Sequence, residues 1–145
     1  LGKGDQRLEL EALAVELDIA DKVAFPGFQP DVFAWLSHAD VFVHPSFSEG
    51  FSIVLVEAMA CGVTPVSADC EFGPSEILEN GQWGYLVPVG DADALATGIR
   101  KALHSPFSPS GLRRRAADFS VDRAIKAYID VLERDISVSS IEHVV

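Results

Sequence analysis

Three short runs of nearly continuous apolar residues constrain the fold of this chain more than any other feature. They are DVFVHPS (40–46), VTPVSA (63–68) and YLVPV (85–89), and each meets a proline or a glycine at one end or both. Strands that are apolar along their whole length are buried on both faces, which is typical of a parallel sheet covered by helices. The pattern predicts an α/β fold with a Rossmann-like parallel sheet and helices on both faces.

Predicted helices separate and flank these runs. Residues 5–18 and 30–39 carry apolar residues at roughly helical spacing. The predicted helices are 5–18, 30–39, 52–60, 90–105 and 120–135, with a short helical turn at 75–79. A β-prone run at 21–28 is predicted to stop at Pro26 and Gly27, and 106–111 is predicted to be a linker.

The predicted organisation is one domain over residues 1–135, followed by a tail (136–145) without an assigned role. The first residues, Leu1 and Gly2, are typical of the end of a buried strand, so we expect an N-terminally truncated piece of a longer protein. No apolar run is long enough to span a membrane, and the first residues lack a signal-peptide pattern, which favours a cytoplasmic protein.

The charge balance limits the class of partner. The chain has 11 lysines and arginines against 22 aspartates and glutamates, a net charge of -11. Nucleic-acid binding needs clustered cations, so a nucleic-acid partner is not expected. A small anion remains compatible, because backbone N–H groups can bind one. Cys61 and Cys70 have no CxxC spacing and no paired histidines nearby, so no metal site is predicted.

The turn SFSEGFSIVLVEAMACG (46–62) is the strongest candidate for a site. It follows the first apolar run, at the end of a strand where open α/β sheets bind ligands. If a helix begins near Ser52, the amides of Ser52, Ile53 and Val54 lack intrahelical partners and lie at the positive end of the helix dipole. Gly50 allows close approach to the backbone. The turn therefore predicts a phosphate-sized anion site.

Two acidic residues lie on either side of that predicted anion site. Glu57 would lie roughly 7–8 Å along the helix, where a carboxylate suits a ribose diol. Glu49 lies in the loop before the helix, where a sugar would be placed. A diphosphate between a ribose and a hexose describes a nucleotide sugar. The alternative is that both acids only complement the helix dipole, and their spacing alone does not decide between the two interpretations.

The chain contains three motifs in the order PSFSEGFSIVLVEAMACG, GPSEIL and GYLVPVGD. They resemble the Glu-x7-Glu signature and the neighbouring motifs of the group 1 glycosyltransferases, which are retaining enzymes with a GT-B fold. The similarity extends over about residues 1–135 and corresponds to the C-terminal half of that fold, its donor-binding domain. It implies that a nucleotide-diphosphate sugar, UDP- or GDP-linked, is bound as substrate without a metal or another cofactor.

In a full-length enzyme, the resemblance implies transfer of a hexosyl or N-acetylhexosaminyl group with retention of configuration. The acceptor would be a saccharide or lipid-linked, in surface polysaccharide or glycolipid biosynthesis, and would bind through an N-terminal domain. The arginine and lysine that neutralise the diphosphate in relatives lie upstream of this sequence, so we expect the piece alone to be inactive. The alternatives are a GT-B-fold nucleotide-sugar epimerase and a non-catalytic nucleotide-binding module.

The resemblance assigns roles within the turn. Glu49 matches the first glutamate, which belongs to the catalytic centre and contacts the hydroxyls of the donor sugar. Gly50 and Phe51 match backbone positions that line the sugar and phosphates. Residues 52–54 match the helix amides at the diphosphate, and Glu57 matches the ribose ligand. Glu49 is thereby expected to position the substrate and not to act as a nucleophile.

Outside the turn, Phe25, Gly27 and Phe28 resemble the segment that borders the nucleobase. Glu76 in GPSEIL resembles an acid near the donor pocket. All four are included in the predicted binding site.

Four other features have a structural and a functional interpretation. His44 is expected to fill space in its strand, with a catalytic role as the alternative. Cys61 is expected to pack as a small apolar residue, and Cys70 to react only if it is exposed. The run Arg113–Arg115 is expected to form a solvated helix face paired with Asp118 or Asp122. Peripheral contact of this run with the inner face of an anionic membrane is the alternative.

Overall fold

The structure, a computed structural model, describes residues 2–139, with side chains described through residue 134. The chain forms two compact units that divide between Ala34 and Trp35. The first unit contains helix α1 (Arg7–Glu16) and a 3-10 turn at Ala20–Lys22. Helix α1 confirms the helix predicted at 5–18.

The β-prone run predicted at 21–28 is wrong, because residues 23–28 pair with no strand in the described part of the chain. Pro26 has no N–H to donate to a ladder, and Gly27 has a φ of +76° that does not fit an extended strand. Helix α2 (Val32–Leu36) follows and is shorter than the predicted 30–39. The Asp31 carboxylate accepts a hydrogen bond from the Ala34 amide (3.0 Å), as a residue that caps a helix does.

The second unit is built on a parallel sheet of three strands in the order β1-β2-β3. They are β1 (Val41–His44), β2 (Thr64–Ala68) and β3 (Tyr85–Val87). Val66 in the central strand lies opposite both Val43 and Tyr85. All three predicted strands are confirmed with slightly shorter bounds, and so is their parallel arrangement.

Helices cover both faces of this sheet, as predicted. On one face lie α3 (Ile53–Cys61), α4 (Pro74–Ile77) and α6 (Pro109–Ala116). Their shared core is fully buried and consists of Leu55, Met59, Ile77, Leu78 and Leu112. On the other face, α5 (Ala92–His104) packs on Val66 and Val87. Gly98 permits this close packing, because a Cβ there would lie 2.9 Å from Val66 Cγ1.

The predicted linker at 106–111 is wrong in its second half, because α6 begins at Pro109. Proline suits the first turn of a helix, and the fully buried Leu112 anchors the segment to the core. A 3-10 turn (Ala117–Phe119) leads to α7 (Val121–Ser139), which extends past the predicted end at 135. Residues 140–145 of the predicted tail lie outside the described residues. Among the helices that the structure describes, none is long and apolar enough to cross a membrane.

Candidate functional site

The carboxyl ends of the three parallel strands meet at one edge of the sheet. Loop 45–52 leaves β1 at this edge and enters α3, and loop 69–73 leaves β2 and enters α4. The first loop carries the predicted site residues 49–52, and the second leads to Glu76. The sheet thus brings the two predicted segments to the edge where α/β folds bind ligands.

The N-terminus of α3 has an unusual pattern of backbone hydrogen bonds. Ser52 has φ -78° and ψ +71°, the conformation of an inverse γ-turn, and the Ile53 amide donates to the Phe51 carbonyl at 2.8 Å. The Leu55 amide donates to Ser52 O at 2.9 Å. The amides of Ser52 and Val54 donate to no backbone carbonyl in the described residues. Of the three predicted anion-binding amides, two therefore lack a backbone acceptor, and that of Ile53 is already used.

The Ser52 hydroxyl is the most unusual polar group at this edge. Ser52 is 1% exposed, and its Oγ has no hydrogen-bond partner among the described residues. Although it occupies the N-cap position, its side chain accepts no bond from a helix amide. A buried hydroxyl without a partner costs about 1–3 kcal/mol of stability. The helix N-terminus therefore holds a polar side chain that no other described group satisfies.

Gly73 brings the second loop against this helix terminus. Its φ is +92°, and a Cβ there would lie 3.1 Å from Ser52 N and 3.2 Å from Ser52 Oγ. A side chain would therefore be strained by its backbone conformation and would crowd Ser52. Pro74 follows at the first position of α4, so the sequence Gly-Pro sets both the close approach and the start of the helix.

Glu49 is half-buried in the loop before α3. Its Oε1 lies 3.0 Å from Nε2 of His44, the last residue of β1. The distance is that of a close ion pair, but the direction does not meet hydrogen-bond geometry, so the buried Nε2 has no hydrogen-bond partner in the described part of the chain. The predicted space-filling role of His44 is compatible with its packing against Phe42, whose ring centroid lies 6.1 Å away. Sequence reasoning did not anticipate the contact with Glu49.

Glu57 lies in the second turn of α3, is half-buried, and forms no ion pair with the described residues. Its negative charge acts on Cys61, one helical turn further on. Burial raises the pKa of the Cys61 thiol; Arg113 opposes this shift, and Glu57 adds to it. Cys61 is partly buried, in agreement with its expected packing role, and Cys70 is buried, so the exposure that its reactivity would need is not present.

Gly50 and Phe51 are both exposed to solvent but differ in what they pack against. Gly50 is exposed, and a Cβ built there would meet nothing within 4 Å, so packing does not require a glycine at this position. Phe51 is 45% exposed and lies against Phe119, with ring centroids 5.7 Å apart. Ile53 is 62% exposed and Val54 half-buried, so the entrance to α3 is open on the solvent side.

Arg115 is a structural residue of the site that sequence reasoning missed. It donates to the carbonyls of Glu76 (2.9 Å) and Ile77 (3.0 Å), and its guanidinium lies over the ring of Phe119 at 4.6 Å. The predicted pair with Asp118 is present at 3.2 Å. The Glu76 residue is exposed, so the structure uses its carbonyl for packing and leaves the carboxylate in solvent.

The other residues of the arginine run differ from one another. Arg113 donates to the Cys61 carbonyl at 3.1 Å, at the C-terminus of α3, while Arg114 is exposed. Two of the three arginines thus bind backbone carbonyls of the protein itself. The expected solvated face holds for Arg113 and Arg114, which are both exposed, and is wrong for Arg115, whose side chain is only 13% exposed.

The predicted base-binding loop lies in the first unit. Phe25 is half-buried under the guanidinium of Arg7, 5.9 Å from its centroid, and Phe28 is 66% exposed. The Gly27 carbonyl accepts a hydrogen bond from the Gly2 amide at 2.8 Å. A cavity of about 370 Å³ lies between this loop and the start of α1. Among the described residues, no group of three or more His, Cys, Asp or Glu side chains could hold a metal ion.

The sequence matches the family "Glycosyl transferases group 1" over residues 1–119. It is 32% identical over 137 residues to the lipopolysaccharide core biosynthesis glycosyltransferase LpsE of Rhizobium meliloti, covering 91% of this chain and 40% of LpsE. The chain thus spans about two fifths of the length of that relative.

Solved structures share the fold. Sucrose-phosphate synthase from Thermosynechococcus elongatus superimposes on 95% of this chain, with a TM-score of 0.76 and 31% sequence identity. The matched part is 37% of the synthase chain. Anabaena Alr3699/HepE in complex with UDP matches 93% of this chain and 36% of its own, with a TM-score of 0.66 and 26% identity. The α/β fold predicted from the strand pattern is that of GT-B glycosyltransferases, and the chain belongs to the group 1 glycosyl transferases.

Proposed function

We propose that this chain binds a nucleotide-diphosphate sugar at the N-terminus of α3, as the donor-binding part of a retaining glycosyltransferase. The observation that carries the proposal is the buried Ser52 hydroxyl, which has no partner in the described residues and lies beside the available amides of Ser52 and Val54. A diphosphate oxygen would satisfy these donors and would lie at the positive end of the helix dipole.

In this proposal, the two glutamates bind the two sugars of the donor. Glu57 accepts hydrogen bonds from the ribose hydroxyls, and Glu49 accepts from hydroxyls of the transferred sugar. As the nucleoside diphosphate leaves, the amides and the Ser52 hydroxyl stabilise the charge that develops on it. Gly50 and Phe51 line the path between the two acids.

The comparisons support a donor of this class and an acceptor in polysaccharide synthesis. Alr3699/HepE was solved with UDP, and LpsE is named for lipopolysaccharide core biosynthesis. We therefore propose UDP as the first nucleotide to test, GDP as the second, and a saccharide or lipid-linked acceptor for the whole enzyme. No metal is required in this proposal, because helix amides take the role that a cation would have.

Ser52→Ala tests the observation directly. The variant removes a buried hydroxyl that has no partner, so the protein without ligand should be as stable as the wild type or more stable. Its affinity for UDP should fall about tenfold, since a charge-assisted hydrogen bond to the diphosphate is lost. Urea denaturation gives the first quantity, and amide NMR titration of the 145-residue chain gives the second. Ser48→Ala, at an exposed serine of the same loop, is the matched control.

Glu57→Gln tests the ribose contact in the same titrations, with Glu16→Gln on α1 as the control for loss of one negative charge. UDP should shift the amide signals of residues 49–57 in the wild type. In Glu57→Gln, the affinity for UDP obtained from these shifts should fall about tenfold or more. Millimolar UDP, GDP or ADP without any shift in the wild type would contradict the proposal. A Ser52→Ala variant that loses stability but keeps its affinity would assign the hydroxyl to folding alone.

A further inference from the structure

His44 is the second residue at this edge with a buried polar atom that is not satisfied. Its Nε2 is buried without a hydrogen-bond partner among the described residues, and it lies 3.0 Å from Oε1 of Glu49. The two side chains are 12% and 24% exposed. The contact therefore lies mostly out of water, where an interaction between a ring N–H and a carboxylate is stronger than at a solvated surface.

The position of the imidazole is well defined by its surroundings. His44 ends β1 and lies opposite Ser67 of the central strand in the parallel ladder. The Phe42 ring is nearly parallel to the imidazole, with 21° between the ring planes. The backbone and the ring are thus held by the sheet, whereas Glu49 belongs to a loop without regular structure.

Glu49 has no other ion pair in the described residues. A flexible carboxylate without an anchor loses rotamer freedom when it binds a ligand, and this loss weakens binding. An N–H donor that holds one carboxylate oxygen reduces the loss and leaves the second oxygen free to accept bonds from hydroxyls. The two atoms lie at hydrogen-bonding distance, although the direction of the contact does not meet hydrogen-bond geometry.

We propose that His44 is a positioning residue that orients the Glu49 carboxylate toward the hydroxyls of the donor sugar. This inference rests on the proposed function, because it assumes that Glu49 binds the transferred sugar. It has a specific consequence: His44 contributes to the affinity for a nucleotide sugar and not to the affinity for the nucleoside diphosphate alone. A residue that merely supports the fold would affect both ligands equally.

Two substitutions separate the N–H group from the ring. His44→Phe keeps an aromatic ring of similar size to pack on Phe42 but removes the donor. His44→Gln restores an N–H group at a similar reach. The exposed His104 on α5 provides the control His104→Phe. The dissociation constants of UDP and of UDP-glucose and UDP-N-acetylglucosamine are measured for each 145-residue variant.

We expect the wild type to bind at least one of the two UDP-sugars more tightly than UDP. In His44→Phe the affinity for that UDP-sugar falls about fivefold to tenfold, as expected for the loss of one charge-assisted contact, and the affinity for UDP is unchanged. His44→Gln recovers the affinity to within about threefold, and His104→Phe behaves like the wild type. Equal losses for UDP and UDP-sugar in His44→Phe, or no loss for either, would overturn the positioning role.

A measurement without ligand tests the contact itself. In long-range proton–nitrogen spectra of the histidine rings, Glu49→Ala should shift the Nε2 signal of His44 and leave that of His104 unchanged. An unchanged His44 signal would overturn the inference even if UDP binds. If the wild type binds neither UDP nor a UDP-sugar, the proposed function fails and the positioning role with it, while a shifted Nε2 signal would still identify the contact as a structural one.

Discussion

At the scale of the residue, unsatisfied polar atoms are concentrated at one place. In the part of the chain that the structure describes, the buried side-chain atoms without a hydrogen-bond partner are Ser52 Oγ and His44 Nε2. They lie at the two ends of loop 45–52, which carries Glu49. Native proteins satisfy most buried polar groups, so two unsatisfied atoms on the segment that joins β1 to α3 are typical of a site that a ligand completes.

Cys61 gives a prediction at the same scale, because burial raises its pKa. Only the thiolate reacts with iodoacetamide, so Cys61 should be alkylated more slowly at pH 8 than free cysteine. Glu57→Gln removes a contribution that raises the pKa and should speed the reaction, whereas Arg113→Ala should slow it. The rates are measured by mass spectrometry in a Cys70→Ala background.

The raised pKa of Cys61 also predicts how the free energy of unfolding depends on pH. The folded state holds the Cys61 proton more tightly than the unfolded state, whose pKa is near 9.0. The contribution of this thiol to the free energy of unfolding is therefore constant below about pH 9 and decreases above it. A Cys61→Ala variant should lack this contribution. Alkylation of Cys61 faster than that of free cysteine would contradict the pKa direction.

At the scale of the element, the short helix α4 depends on its neighbour α6. A helix of four residues, Pro74–Ile77, is too short to be stable by itself. Arg115 on α6 binds two of its carbonyls, pairs with Glu79 at 3.1 Å, and stacks on Phe119, which in turn contacts Phe51. One side chain thereby connects α6 with α4 and, through Phe119, with loop 45–52.

We predict that Arg115→Ala lowers the free energy of unfolding by about 2–3 kcal/mol, because several charge-assisted hydrogen bonds to partly buried carbonyls are lost together. Arg115→Lys should recover part of the loss, since lysine keeps the charge but not the planar set of donors. Urea denaturation measures both. Arg114→Ala, at the exposed neighbour, should change the stability by less than about 0.5 kcal/mol. Equal effects at the two positions would contradict the role of Arg115.

At the scale of the whole molecule, the core of the second unit is complete before α7 begins. The family match ends at residue 119, and every described side chain of α7 is exposed. Its apolar residues Val121, Ile125, Tyr128 and Leu132 lie on one face and are 52–74% exposed. Within the described part of the chain, the main contacts of α7 are with the 3-10 turn at 117–119.

We therefore predict that a chain ending at Ser120 keeps its fold. Circular dichroism should show less helix, because 19 residues of α7 are removed. The urea midpoint should change little, since the described side chains of α7 (121–134) are all exposed, and the UDP titration should give the same shifts at residues 49–57. A chain ending at Gly111, which removes the buried Leu112, is the contrasting variant and should not unfold cooperatively. Loss of the cooperative transition in the Ser120 variant would refute the prediction.

Sequence patterns located most of the elements because their signals are local. Continuous apolar runs identified the three strands, and periodicity with capping residues identified α3 and α5. The run 21–28 was wrong because a strand needs a partner as well as β-prone residues. Helix α6 was partly missed because Pro109, Ser110 and Gly111 are typical of linkers, and burial of Leu112 outweighs that local preference.

The sequence by itself determined the order of the elements, the start of α3 and the spacing of Glu49 and Glu57, because all of these depend on residues that are close along the chain. Only the tertiary structure decided that His44 contacts Glu49, that Gly73 lies against Ser52, and that Arg115 binds the carbonyls of α4. These contacts depend on how loops turn and which elements pack together. Apolar runs can indicate that a strand is buried, but the partner of a particular side chain depends on the packed fold, so no local pattern in the sequence could reveal these contacts.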